Sequence, residues 1–446
     1  MKLFNLLKSW IVSTLRRESV RQLAYIYTSR VATAALALAA SSVVVRTLGV
    51  TNVGLLTLAS VIMGIAGSVI EIGLTTTMIR KLSFHLVQDD DEKAVGVFRR
   101  IYFLRLGISG SFMVLAYFAA PFVAVHAYGN ASLTTPLRLA GFGALLFNVS
   151  YHTEAVLRAY EKFLQLGIIN VIASVARLAL VAALWYAAKL NVASAMASNL
   201  AQTLIGFIIM SVVIPRKYYT RKQTTTYPLG DVLRYSGWLF AFNLLFMLYD
   251  RLDVLMLGSL KPAAEVGIYA VAFTLVRPIE MVPETLNVVF LPKVAKFTRK
   301  AQVQRYYRDT LKVSGLVGLI CVLLIIFAKP IIVTIYGTDF IPSVSLFQIL
   351  VGAFILLTIL NPFILVGHSL NKPQLFTLIA GINLVLHFVG NLIFIPPYGA
   401  IGAAYVTLVA RVLGGIIGFM IVNYYLNRWE DDTAPGAALA EGGKGA

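Results

Sequence analysis

Long apolar stretches, separated by short polar segments, recur along the chain at nearly even spacing. A helix that crosses a bilayer needs about 20 predominantly apolar residues, and each stretch is long enough for one crossing. The pattern therefore predicts an all-α integral membrane protein. We expect twelve transmembrane helices, at 22–46, 53–79, 101–126, 132–157, 163–188, 192–214, 233–258, 265–291, 311–336, 342–367, 373–396 and 400–426.

The composition agrees with a membrane protein and argues against several kinds of site. Of the 446 residues, 59% are hydrophobic and 13% are charged, whereas soluble domains average about 25% charged residues. The single cysteine, Cys321, lies in an apolar stretch, so we expect neither a disulfide framework nor a cysteine metal site. No Walker-type glycine-rich loop appears, which argues against ATP hydrolysis by that route.

Basic residues lie in alternate loops, which predicts the orientation of the chain. Cytoplasmic loops are enriched in Lys and Arg, and this places the basic loops and both termini inside, in a multi-pass protein of the cell (plasma or inner) membrane. The net charge of +18 follows largely from this asymmetry, so we predict contact with anionic membrane lipids and not with nucleic acid. The outer loops are too short for a folded catalytic domain, so we expect no catalytic residues and no enzyme.

The chain repeats itself in the same orientation. Leu48-Gly49 and Leu257-Gly258 each close a span, and Val53-Gly54 and Val266-Gly267 each open the next. Parallel repeats of this kind are typical of secondary transporters that bind between two lobes. The predicted divisions are an interfacial amphipathic helix at 1–21, an N-lobe at 22–215, a cytoplasmic linker at 216–232, a C-lobe at 233–426 and a disordered cytoplasmic tail at 427–446.

Ionisable residues inside the spans are the candidate functional groups, because burying a charge in the bilayer is costly. Spacing three apart places Asp250 with Asp253, and Arg277 with Glu280, on shared helix faces. Such pairs either fix helix packing or line a cavity. The candidates for a network of coupling or inter-helix charges are Asp250, Arg251, Asp253, Glu280, Glu284 and His387.

Arginines in both lobes point to an anionic ligand. Arg30, Arg177 and Arg411 have no acid at helical spacing in their own spans, and arginine binds phosphate oxygens bidentately. We predict that Arg30, Arg177 and Arg411 contact the substrate. For His387, a satisfied interior histidine and a protonation switch both remain open.

Two passages carry a resemblance to a known family. "VRTLGVTNVGLLTLASVIMGIAGSVIEIGLTTTMIRKL" and "YDRLDVLMLGSLKPAAEVGIYAVAFTLVRPIEMVPETLNVVFLPKV" are similar to the two lobe signatures of Wzx-type polysaccharide-biosynthesis flippases, in the multidrug/oligosaccharidyl-lipid/polysaccharide exporter superfamily. The resemblance implies two pseudo-symmetric six-helix bundles in a V shape. It also implies Arg30, Arg177, Asp253 and Arg277 as substrate-facing residues, while Arg411 is added from its position alone.

The function that the resemblance implies is translocation of an oligosaccharide linked to a polyprenyl (pyro)phosphate from the cytoplasmic to the outer leaflet by alternating access. No cofactor is expected; coupling to a Na⁺ or H⁺ gradient is expected, with the ion left open, and other polysaccharide-assembly proteins are candidate partners. Two alternatives stay open. One is a cation-coupled multidrug exporter of the same superfamily, and the other is a membrane-embedded polysaccharide polymerase or ligase.

Overall fold

Helices joined by short turns make up the part of the chain that the computed structural model describes, residues 18–71, 73–220, 247–294, 297, 300–367 and 373–428. In chain order they are α1 Glu18–Glu71, α2 Leu74–Val87, α3 Asp91–Phe122, α4 Thr134–Ala159, α5 Phe163–Tyr186, α6 Val192–Val213, α7 Lys217–Thr220, α8 at 247–260, α9 Ala263–Val294, α10 Lys300–Ile326, α11 Ala328–Tyr336, α12 Ser343–Leu365 and α13 Pro373–Asn427.

Two of these helices bend at a glycine. Gly49 in α1 has φ 71° and Gly399 in α13 has φ 59°, a region that residues with a Cβ rarely adopt. Each bend falls where the sequence predicts a loop between two spans. The apolar parts of these helices, 47 and 50 residues long, are long enough for two crossings each.

By length and mean hydropathy, seven helical stretches of the described chain are able to cross a bilayer. The chain is therefore an all-helical, multi-pass membrane protein. The count of twelve crossings stays a prediction. The predicted helix at 1–21, the linker at 216–232, the start of span 7 at 233–246 and the tail at 427–446 lie almost wholly outside the described residues.

Two predicted spans are interrupted in the structure. The second is broken just before α2, where Gly73 has φ 67°. The ninth ends as α10 at Ile326 and resumes as α11 at Ala328. Pro330 explains this second break, because proline has no N–H to donate to the carbonyl of Ile326 and its ring would clash there.

The helices form two compact units. The first contains the described residues up to Leu48 and those from Ala59 to 220, and the second contains Gly49–Leu58 and those from 247 onward. The core of the first unit joins α2, α3, α4 and α6 through buried side chains that include Leu74, Phe98 and Val156. The start of the second predicted span thus packs with the second unit, which sequence spacing does not reveal.

Glycines bring two backbones together inside the second unit. A Cβ on Gly54 would lie 1.7 Å from the carbonyl oxygen of Ala263, and one on Gly267 would lie 2.0 Å from that of Val50. These distances are far below van der Waals contact, so only glycine fits at either position. The paired glycines of the sequence repeat therefore meet each other where α1 crosses the start of α9.

We expect Gly54→Ala to lower the thermal unfolding midpoint and the folded yield, because its methyl group must push the α9 backbone away. Gly64→Ala, in the same helix, is the control, since a Cβ there meets nothing within 4 Å. Alanine in a helix interior is favoured over glycine by about 0.5–1 kcal/mol, so the control should melt at or slightly above the wild-type midpoint. Thermal unfolding of both purified variants in one detergent makes the comparison, and equal midpoints for the two would contradict the close crossing.

Candidate functional site

The side chain of Asp253 is buried inside the second unit, 6% exposed. Its Oδ2 atom accepts hydrogen bonds from the hydroxyl of Tyr269 at 2.6 Å and from Oγ1 of Thr407 at 2.9 Å. Its Oδ1 atom accepts one from Nδ2 of Asn391 at 2.7 Å. These donors come from α9 and from both halves of α13, so the carboxylate of α8 ties three helices together.

His387 completes this cluster. It lies one helical turn before Asn391, it is 3% exposed, and its Nε2 atom is 3.3 Å from Oδ1 of Asp253. Its ring packs on that of Tyr249, with centroids 5.0 Å apart. The ring nitrogens form no well-aligned hydrogen bond within the described residues. We call the group formed by Asp253, Tyr269, His387, Asn391 and Thr407 the Asp253 cage.

The hydrogen-bond donors to this carboxylate are neutral groups. Among the described residues, no Lys or Arg lies within ion-pair distance of Asp253. A buried carboxylate without compensation is unfavourable, and a proton on it, a protonated His387 or a small cation would each compensate its charge. The oxygen atoms available to a hard cation are those of the Asp253 carboxylate, the hydroxyls of Tyr269 and Thr407, and Oδ1 of Asn391, which is buried without a hydrogen-bond partner among the described residues.

A second carboxylate on α8 pairs with arginines. Oδ2 of Asp250 lies 3.2 Å from Nε of Arg251 and 3.3 Å from an Nη atom of Arg277. Arg277 is 48% exposed at its side chain, whereas Asp250 is 21% exposed. The two aspartates that spacing places on one face therefore have different environments, one held by arginines and the other by neutral donors.

Arg411 has an acidic partner from another helix. An Nη atom of Arg411 donates to Oε1 of Glu280 at 3.2 Å, and its guanidinium lies 4.1 Å from the ring centroid of Phe354. Spacing within one span offers Arg411 no acid, because the partner comes from α9. The side chain of Glu284 lies outside the described residues.

The two arginines of the first unit differ in exposure. Arg30 is exposed on α1, and Arg177 is half-buried on α5 with a buried Nε that makes no hydrogen bond within the described part of the chain. No acid within the described residues forms an ion pair with Arg177. Next to it, Gln202 of α6 donates to Oγ of Ser174 at 3.0 Å. Arg177 is thus a cation with spare hydrogen-bonding capacity.

A buried arginine in the first unit holds two helices in place. Arg105 is fully buried and donates to Oγ1 of Thr75 at 2.7 Å, to the carbonyl of Asn148 at 3.2 Å and to Oε1 of Glu71 at 3.5 Å. Glu71 also accepts from the backbone N–H of Thr75 at 2.6 Å and of Gly73 at 3.0 Å. The pair therefore caps the start of α2 and holds the break between α1 and α2.

Sequence reasoning missed the neutral members of the Asp253 cage and the Arg105–Glu71 pair. A weak signal existed for the cage, because Asn391 follows His387 by one helical turn and Thr407 precedes Arg411 by one. Polar residues at that spacing in an apolar helix share a buried face. Tyr269 carried no such signal, since tyrosine is common in apolar helices.

Titratable groups outside the spans form ordinary surface pairs. Hydrogen bonds from the side chain and backbone of Lys93 lower the pKa of Asp90. Burial acts to lower the pKa of Lys217, but its hydrogen bonds with Asp91 and Tyr160 outweigh this and raise it. These pairs anchor the ends of α3 and α7 at the predicted cytoplasmic side.

Comparison with known proteins identifies relatives. Residues 43–345 match the model of a family described as polysaccharide biosynthesis protein. The probable flippase AglR of Haloferax volcanii is 28% identical over 191 residues, which are 41% of this chain and 39% of that protein. The match therefore spans well under half the length of that relative.

Solved structures share the fold at low identity. An inward-facing multidrug resistance MATE family transporter of the MOP superfamily superposes with a TM-score of 0.69 at 13% identity, covering 89% of this chain and 95% of that one. The lipid II flippase MurJ in an inward closed conformation gives 0.67 at 14% identity, covering 91% and 87%. The Vibrio cholerae MATE transporter VcmN gives 0.60 at 16%, covering 93% and 98%. Taken together, the family match and the helical fold show that this chain is a member of the polysaccharide biosynthesis protein family with the fold of MOP-superfamily transporters.

Proposed function

We propose that this protein is a flippase that moves an oligosaccharide linked to a polyprenyl (pyro)phosphate from the cytoplasmic to the outer leaflet by alternating access. Membership of the polysaccharide biosynthesis family supports a substrate from that chemistry. The relative AglR is itself named a probable flippase, and MurJ, which has the same fold, is named a lipid II flippase.

The arginines supply the chemistry for the phosphate. Guanidinium groups stay charged at any depth and bind phosphate oxygens in pairs of parallel hydrogen bonds. Arg177 has a buried Nε with no partner in the part of the chain that the structure describes, and Arg30 is exposed. In the second unit, Arg277 and Arg411 are ion-paired through one nitrogen each, which leaves further donors for an anion. We assign these arginines to substrate binding.

The Asp253 cage is the proposed coupling site. The observation that carries this assignment is a buried carboxylate that accepts from three neutral donors and faces His387, with no Lys or Arg partner among the described residues. Na⁺ or H⁺ would compensate its charge, and the groups around it would then rearrange. Because α8, α9 and α13 each contribute to the cage, a change in occupancy would alter their packing and so bias the conformational equilibrium.

Orientation and partners belong to the same proposal. Both termini and the basic loops would face the cytoplasm at the cell membrane, where anionic lipids contact the basic side chains. Loading from the cytoplasmic leaflet would then place the phosphate near the basic ends of the spans. Other polysaccharide-assembly proteins would supply the lipid-linked sugar and use it on the outer side.

The alternatives differ in the charge they require. A multidrug exporter, as some proteins of this fold are named, would need a net acidic site for cationic drugs. Among the described candidate residues, the five arginines Arg30, Arg177, Arg251, Arg277 and Arg411 outnumber the three acids Asp250, Asp253 and Glu280. A polymerase or ligase would need catalytic groups on a sizeable outer segment, and the described connections on the predicted outer side are short, such as 187–191 and 261–262.

Purified protein in vesicles should move a fluorescent polyprenyl-pyrophosphate oligosaccharide between leaflets. It should neither lengthen the sugar nor export a cationic dye such as ethidium, because its candidate groups suit an anion and include no catalytic pair. Loss of fluorescence to a membrane-impermeant quencher reports flipping, and chromatography of extracted lipid reports chain length. Dye export without flipping would contradict the proposed substrate class, and sugar lengthening would indicate an enzyme.

Arg177→Gln should reduce flipping by roughly one to two powers of ten, since a lost charge-assisted hydrogen bond costs about 1.5–3 kcal/mol. Arg177→Lys should recover part of the activity, because the charge returns without the bidentate fork. Arg158→Gln is the control, since Arg158 pairs with Glu154 at the predicted cytoplasmic end of α4. Initial flipping rates are compared at equal amounts of folded protein, and equal rates for the Lys and Gln variants would exclude phosphate binding by Arg177.

A further inference from the structure

In the second unit, two carboxylates are paired with the N–H donors of three arginines. Asp250 is held by Arg251 and Arg277, and Glu280 is held by Arg411. We call these five residues the arginine–carboxylate cluster. Its members lie on α8, α9 and α13, the same three helices that form the Asp253 cage.

The pairs in this cluster are incomplete. Arg411 gives one hydrogen bond to Glu280 at 3.2 Å, and its buried Nε has no hydrogen-bond partner among the described residues. A single oxygen of Asp250 serves both Arg251 and Arg277. A guanidinium has five N–H donors arranged to grip two oxygens at once. The arginines therefore hold their carboxylates by fewer contacts than they are able to make.

The net charge and the solvent exposure of the arginine–carboxylate cluster favour binding of a further anion to its arginines. Three guanidinium groups and two carboxylates leave the cluster itself with a net charge of +1, not counting Asp253. Arg277 is 48% exposed and Asp250 and Arg251 are 21% and 27% exposed, whereas Glu280 and Arg411 are 18% and 11% exposed, so a ligand would reach the cluster from the side of Arg277. An anion with more charge and more oxygens than a carboxylate would form more of the available hydrogen bonds.

We infer that Asp250 and Glu280 are displaceable place-holders for the substrate phosphate. In the free protein they occupy the donors of Arg277 and Arg411, and a phosphate or pyrophosphate group takes those donors when it binds. This inference rests on the proposed flippase function and adds the way in which the site selects and releases its ligand.

Displacement has two consequences. A singly charged anion gains little by replacing a carboxylate of equal charge, whereas a pyrophosphate gains both charge and hydrogen bonds, so the cluster selects multiply charged headgroups. When the substrate is to leave, Asp250 and Glu280 compete for the arginines again. The return of the carboxylates lowers the cost of breaking the arginine–phosphate contacts and speeds release.

A fixed packing role would leave a different signature. If the Glu280–Arg411 pair only joined α9 to α13, removal of the Glu280 charge would loosen the protein without improving anion binding. Glu265 offers a matched comparison on α9, because its carboxylate accepts from the backbone N–H of Ala400 at 2.9 Å beside the bend in α13. Glu265→Gln makes the same chemical change and also perturbs the contact between α9 and α13.

The test measures binding of inorganic pyrophosphate by isothermal titration to the full-length protein in detergent, together with flipping in vesicles. Glu280→Gln should bind pyrophosphate about tenfold more tightly, or about 1.4 kcal/mol, and should flip saturating lipid-linked oligosaccharide several-fold more slowly because release is impaired. Glu265→Gln should leave the pyrophosphate affinity unchanged. Asp250→Asn should behave as Glu280→Gln does and serves as the second variant if Glu280→Gln does not fold.

Unchanged or weaker pyrophosphate binding in the folded Glu280→Gln or Asp250→Asn protein overturns the place-holder role. Failure of the underlying phosphate site gives a different result. In that case wild type and Arg411→Gln would bind pyrophosphate equally, whatever the carboxylate variants do.

Discussion

A buried carboxylate with no Lys or Arg partner among the described residues is the constraint around which the second unit is organised. Asp253 accepts hydrogen bonds from neutral donors on α9 and α13 and faces the ring of His387, and removing any of these donors would leave polar atoms unpaired in a buried setting. The arginine–carboxylate cluster lies on the same helices, one turn from the cage at Asp250 and at Arg411. Ion occupancy and anion binding are thus proposed to act on one set of helices.

The two sequence repeats differ at the position of Asp253. Counting five residues back from the matching glycines, Gly258 and Gly49, places Asp253 in one half of the chain and Val44 in the other. Val44 is a buried apolar residue. In the first unit Arg105 is fully buried and pairs with the half-buried Glu71, and this pair stabilises the break before α2. Among the described residues, a buried carboxylate without a Lys or Arg partner occurs in the second unit.

The all-helical fold and the positions of the two bends at glycine were predictable from sequence. Both depend on local features, namely long apolar stretches and the short polar segments between them. The grouping of Gly49–Leu58 with the second unit was not, since it depends on a close approach between helices far apart in sequence. The same reason explains the site. Spacing finds Asp250 and Asp253, but only tertiary packing brings Glu280 to Arg411 and surrounds Asp253 with Tyr269, Asn391 and Thr407.

Ion binding at the Asp253 cage tests the central claim most directly. Thermal unfolding midpoints of the wild type and of Asp253→Asn would be measured across a series of Na⁺ concentrations at constant ionic strength, and across pH at fixed Na⁺. A ligand that binds only the folded state raises the midpoint as its concentration rises. We expect the midpoint to rise with Na⁺ or with proton concentration in the wild type, and this rise to be lost in Asp253→Asn. Identical responses of the two proteins to both ions would contradict it.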